Sequence, residues 1–451
     1  MFHLLLNTLI LFLIILYMNQ QNKPTIYFFP VLVVILETIR AIYYPLGKFD
    51  GFNSIILFSY ILVLIVSKLK LEDIKSLKNI FILYFIMSIY FILQTGYDQV
   101  GLFSGLSRVF RFLFVYLFFF IGYKFFKSQL SLSKLNKYTV HSIILFLLVV
   151  ILLTLFEYGK ERSGGIFYGF IQGEIYYFPL FVILSLLIYH LNIKKGLNQI
   201  NLVYFSIATF GALIFTIISL SRTAWIILLV GLLILTPVLM KERRIRRMGK
   251  VILLGMILVS FYVYSSGLYL QRESRFTEDY NPATENRLLE TIAIHEVYLN
   301  TTTKRIFGTG EAFSTIHLLN NPERSIHSTY NRIYHGFGFL GIFIFLTFNG
   351  LIMLKLLFIS KNNLIPNSEL KLLKLVGLSI LMSYMAGAFA GVTLPIAYAT
   401  VSYLYLGGIL GLLNNNDSLF QLIEKSELIS GTQSIQTLKK LDHKMRNKTT
   451  T

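Results

Sequence analysis

"NLVYFSIATFGALIFTIISLSRTAWIILLVGLLILTPVLM", residues 201–240, is two apolar runs parted by a few polar residues around Arg222. Each run is about long enough to cross a hydrocarbon core as a helix. Neither alternates apolar with polar, as a barrel strand must, and lipid offers the backbone no hydrogen-bond partners. These runs therefore read as membrane helices. An arginine at their junction is costly unless it snorkels to the interface or meets an anion.

The same pattern recurs along the 451 residues, 55% of which are hydrophobic, with a mean hydropathy of +0.66. The expected fold is an all-α polytopic membrane protein with about 12–13 transmembrane helices. Spans are expected near 2–18, 26–45, 53–68, 79–95, 106–123, 140–156, 174–191, 201–220, 223–240, 250–267, 333–358, 373–390 and 394–413. "FHLLLNTLILFLIILYM" lacks a basic flank and a small-residue cleavage pattern, so it reads as a retained helix. The chain has no cysteine, which excludes disulfides and thiol chemistry.

The formal charge of +19 falls largely in short connections such as "KLKLEDIKSLK", "NIKKGLN" and "KERRIRRMGK". These occupy every second loop, so the positive-inside bias explains them and nucleic acid is not an expected partner. The loops near 96–105, 157–173, 219–222 and 268–332 then lie on the outer face. Five regions follow: N-terminal helices 1–200, helices 201–267, a large extracytoplasmic loop 268–332, C-terminal helices 333–413 and a basic cytoplasmic tail 414–451.

The 268–332 loop is polar and charged between apolar neighbours. Within it "NPATENRLLETIAIHEVYL" has helical spacing, with Asn281 placed to cap and Pro282 at the first helical position. "FGTG", residues 307–310, reads as a glycine-supported turn. Arg222, Arg162, Arg287, Arg324 and Arg332 share the outer face with His327 of "SIHSTYN". Guanidinium groups gathered in this way suit a phosphorylated substrate, because their planar fork binds phosphate oxygens in pairs. A histidine beside arginines is held neutral, able to accept a proton from a hydroxyl. His295 and His317 read as solvated, His335 as a helix-start residue, and His141 and His190 as residues at cytoplasmic helix ends.

The succession "SLSRTAW", "ENRLLE", "RIFGTGEAF" and "IHSTYNRIYHGFGFLGIF" resembles the O-antigen ligase and polymerase superfamily over about residues 205–350. "RSGGIFYGF" is similar to an earlier segment of that family. The resemblance implies transfer of a glycan from a polyprenyl diphosphate carrier to an acceptor hydroxyl. The expected place is the outer face of a bacterial cytoplasmic membrane, with inversion at the anomeric carbon and without metal or cofactor. By the same resemblance His327 is the base, and Arg222, Arg287 and Arg162 hold the diphosphate. Arg324, Arg332, Ser328 and Asn331 contact the acceptor or support the site. Ser328 stands where the family often has Asn, and Thr291 where it often has Trp.

A polymerase extending a carrier-linked repeat unit is the first reading, with a chain-length regulator and a flippase as implied partners. A ligase acting on a lipid A core or another terminal acceptor is the second. A transporter of lipid-linked sugars is the alternative from another class, but it calls for an internal repeat that this chain lacks. "GFGFLG", residues 336–341, matches a dinucleotide fingerprint by letters only; with no strand before it, close helix packing is the expectation. The many Phe and Tyr read as lipid-facing bulk and interfacial belt.

Overall fold

The computed structural model describes residues 25–43, 75–95, 102–156, 161–163, 166–167, 175–219, 221–241, 286–311, 315–318, 321–326, 328–359, 366–390 and 396–414, with isolated helical positions at 257, 261 and 265. The expected spans 2–18 and 53–68, and nearly all of 250–267, lie outside these residues.

The described chain is an all-α bundle: α1 (Phe29–Tyr43), α2 (Lys78–Gln94), α3 (Leu102–Phe125), α4 (Gln129–Leu155), α5 (Tyr177–Ile188, continued as a π-helix over Tyr189–Lys194), α6 (Leu202–Ile218) and α7 (Arg222–Lys241). Short helices α8 (Asn286–Ala293, continued as a π-helix over Ile294–Tyr298) and α9 (Thr302–Phe307) follow. Then come α10 (Thr329–Phe358), α11 (Asn367–Ala390) and α12 (Ile396–Asn414). Among the described residues, five helical stretches are long and apolar enough to cross a membrane, and three apolar helices are shorter. The protein is a polytopic membrane protein.

Two antiparallel hairpins, absent from the expected all-helical pattern, sit in the connecting segments: β1 (Glu161–Ser163) with β2 (Ile166–Phe167), and β3 (Thr315–Leu318) with β4 (Asn321–Ser325). Each is too short for an alternation signal.

Helix α4 begins eleven residues before the expected span. Ser128 caps it, its hydroxyl accepting from Ser131 N–H at 3.1 Å in a capping box. The polar first turns stay helical because neighbouring helices satisfy them: Asn136 bonds Asn192 at 2.8 Å and Tyr405 bonds Asn136 at 2.9 Å. His141 consequently lies well inside α4, bonded to Tyr204 at 2.9 Å, and not at a helix end.

Helix ends sort into two sets. Lys195 binds Glu369 at 2.6 Å, Asn198 binds Ser133 at 2.6 Å, and Lys374 reaches the Ile359 carbonyl at 2.9 Å. Three of the basic connections therefore meet at one end of the bundle, and the helix junction carrying Arg222 belongs to the other.

Large aromatics fill the interior, contrary to the expectation that they mainly face lipid. Tyr116, Tyr177, Tyr384, Tyr398, Tyr403 and Tyr405 are all fully buried. A buried phenol needs a partner, and most have one: Tyr177 with Ser142 (2.7 Å), Tyr403 with Asn349 (2.6 Å), and Tyr116 with Tyr384 (3.2 Å). Phe85, Phe343 and Phe389 do face outward.

Candidate functional site

The connection from α6 to α7 spans only residues 219–221. Ser219 closes α6 by donating to Thr216 O at 2.8 Å. Ser221, buried, accepts the Ala224 N–H at 3.5 Å as an N-cap does. Position 222 is thus the first residue of α7.

Its level in the bundle follows from α11. Ser383 donates to Ile227 O at 2.9 Å and Ser379 to Gly231 O at 2.8 Å. Four residues forward on one helix match four back on the other, so the two run antiparallel, and the same register sets position 222 opposite Ala388. Ala388 O and Phe389 O in turn accept from the Ser328 hydroxyl at 3.5 and 3.4 Å. The start of α7, the end of α11 and the start of α10 therefore share one end of the bundle. His327 lies outside the described residues; its neighbours Ile326 and Ser328 are both buried.

Helix α10 is not the straight span expected over 333–358. Gly338 (φ 64°, ψ −165°) breaks it into arms 329–337 and 339–358. The Tyr330 and Phe345 rings lie 5.8 Å apart, whereas a straight helix would part those residues by about 22 Å. The first arm thus folds back beside the second, and Tyr334 packs on Phe339 at 4.8 Å. The arm's N-terminus, beginning at the buried Thr329, consequently packs beside the end of α11, with Tyr330 against Met385 and Phe389.

The freed carbonyls at the break are taken by the "FGTG" turn. Thr309 N–H bonds His335 O at 2.8 Å and Gly310 N–H bonds Gly336 O at 2.9 Å. The Tyr90 hydroxyl reaches both Phe337 O (2.8 Å) and Phe307 O (3.0 Å). "GFGFLG" does allow the close packing expected of it: Gly338 lies against Ile306 at the end of α9, Gly341 against Phe337 and Ile333 of the first arm, and Gly336 against the turn. Gly308 (φ 83°, ψ −173°) and Gly338 both occupy a region that is essentially glycine-only. A Cβ on Gly338 would also strike the Ile306 carbonyl. Gly338→Ala is expected to free this segment from the bundle at a cost of ~1–3 kcal/mol in strain alone. Limited proteolysis of the purified variant would then cut within residues 286–311 faster than in wild type.

Helix α8 and the hairpin share a small core of Ile294, Leu299, Ile316, Ile326 and Tyr334. Arg287 is the second residue of α8, one turn before Glu290 and Thr291. Glu290 is fully buried and accepts from Asn331 at 3.1 Å, and Asn331 also donates to Thr291 at 3.1 Å. That pairing ties α8 to the first turn of α10 and so brings position 287 toward the same region. Arg332 donates through Nε to Ile326 O at 2.7 Å. Ser328, Asn331 and Arg332 all make intramolecular contacts that brace the start of α10. Arg324 is in β4, paired with Ile316, and Arg162 is in β1. Their side chains and those of Arg222 and Arg287 are outside the described residues.

Three features were not read from the sequence. Glu290 was one charge among many on an amphipathic stretch. His295 is half-buried and bonded to Tyr334 at 2.8 Å, not solvated. His335 is fully buried in the first arm, its Nδ1 bonded to Glu311 O at 2.9 Å.

No curated protein and no solved structure matches the chain. Residues 207–346 match the family model described as O-antigen ligase. The matched stretch runs from α6 through α7, the loop helices and the reversal in α10, and over these residues the chain is similar to the O-antigen ligase family, which supports the O-antigen ligase/polymerase superfamily.

Proposed function

We propose that the protein is a membrane glycosyltransferase that moves a glycan from a polyprenyl diphosphate to a hydroxyl of a carrier-linked repeat unit, as a polysaccharide polymerase of the bacterial cytoplasmic membrane. The observation that carries this reading is the meeting of position 222, Ala388 and Ser328 at one end of the bundle, within the family-matched stretch. Helices α7 and α10 both begin there, so two positive dipole ends add to the arginines in favouring an anion.

In this mechanism Arg222 and Arg287 hold the diphosphate, with Arg162 as a third ligand. The acceptor oxygen attacks the anomeric carbon from the face opposite the phosphate. The carbon–oxygen bond to the diphosphate breaks, and the polyprenyl diphosphate leaves with its electron pair. His327 takes the proton of the attacking hydroxyl. Guanidinium groups placed where the leaving group gains charge lower the barrier. Ser328, Asn331 and Arg332 hold the α10 arm that positions the base, and Arg324 lines the acceptor side.

A ligase would use the same donor and differ in its acceptor. Gel profiles of surface glycan from cells carrying His327→Ala or Arg287→Ala, at matched expression, separate the readings. Single capped repeats on the acceptor are the expected polymerase defect. Full-length chains stranded on the carrier would instead mark a ligase, and repeat units that never reach the outer face a flippase.

A further inference from the structure

Tyr398 is the third residue of α12 and is 1% exposed, yet its hydroxyl has no hydrogen-bond partner among the described residues. Leaving such a group unpaired costs more than a typical protein hydrogen bond returns, so a fold retains it where something else supplies the partner. The neighbouring phenols are committed elsewhere: Tyr384 to Tyr116 at 3.2 Å and Tyr403 to Asn349 at 2.6 Å. Tyr398 stands apart from them.

Its place is informative. The Tyr398 ring stacks on Tyr384 at 5.9 Å and approaches Tyr176 at 6.5 Å. Tyr384 lies one helical turn before Ala388, which is level with position 222 and bonded to Ser328. The unpaired hydroxyl therefore sits about one turn deeper in the bundle than the proposed arginine level. A carrier lipid reaches that level tail-first, and the part of its head group nearest the interior is the phosphate attached to the prenyl chain. Another cation at that depth would carry a heavy desolvation penalty, whereas a phenol is a neutral donor.

We infer that Tyr398 is a substrate-binding residue whose hydroxyl donates to the diphosphate of the polyprenyl carrier, an inference that rests on the function proposed above. Farnesyl diphosphate, titrated into the purified full-length protein in lipid nanodiscs, is the probe, with binding read by thermal shift. Tyr398→Phe removes only the unpaired oxygen, so its melting temperature without ligand is expected to equal or exceed wild type. Its half-saturation should need roughly tenfold more farnesyl diphosphate. Tyr405→Phe, which loses a hydroxyl bonded to Asn136 and Thr139, should bind as wild type does. Equal half-saturation for wild type and a folded Tyr398→Phe would overturn the assignment of Tyr398 alone. No response of wild type to farnesyl diphosphate would overturn the carrier reading itself, and this inference with it.

Discussion

Arg222→Ala is expected to slow glycan transfer by ~10²–10³-fold, the scale seen when one donor to a developing negative charge is removed. Position 222 opens α7, and described neighbours fix that helix: Ser221 supplies the cap, and Ser379 and Ser383 fasten α7 to α11 through backbone carbonyls. The variant should therefore fold and insert normally. Arg222→Lys separates charge from geometry. Lysine keeps the cation but not the planar pair of donors that matches two phosphate oxygens, so it should recover only part of the lost rate. The measurement is turnover of a carrier-linked donor by purified variants, with melting temperatures recorded beside it. Full activity in a folded Arg222→Ala protein would remove the diphosphate role from this residue.

How far these features were legible in the sequence depends on the distance over which each signal acts. The runs on either side of Arg222 are long and purely apolar, and they emerge as α6 and α7 within a residue or two of their expected bounds. "FGTG" was legible as a turn because two glycines at spacing two serve few other purposes, and both have positive φ. The reversal in α10 was not legible. "HGFGFLG" is equally consistent with tight helix packing, and only the docking of Thr309 and Gly310 on the His335 and Gly336 carbonyls makes a break affordable. Glu290 and Tyr398 fail for a different reason. A carboxylate on an amphipathic helix and a tyrosine in an apolar run are ordinary in isolation. Their burial depends on partners as distant as Asn331 and Tyr176, which no local pattern announces.

Gly407→Leu is expected to abolish folding outright. Helices α3 and α12 run parallel at the centre of the bundle and meet backbone to backbone, through Gly122 on one and Gly407, Gly408 and Gly411 on the other. Lipid supplies no hydrophobic drive to bring helices together, so close approach of small residues has to supply the attraction. A Cβ at Gly407 would fall inside the van der Waals shell of the Phe119 carbonyl and lie 2.7 Å from Tyr123 N. Those are backbone atoms of a buried helix and cannot swing aside, so the penalty should exceed the ~1–3 kcal/mol typical of overpacked side chains. Separating the helices would also pull apart the Tyr116 and Tyr403 rings, 4.8 Å apart. Gly350 is the matched control, since a Cβ there meets nothing within 4 Å and Gly350→Leu should leave the fold intact. On fluorescence-detected size-exclusion of detergent extracts, Gly350→Leu should elute as wild type while Gly407→Leu aggregates or disappears. A monodisperse Gly407→Leu peak with the wild-type melting temperature would mean that α3 and α12 do not meet through these glycines.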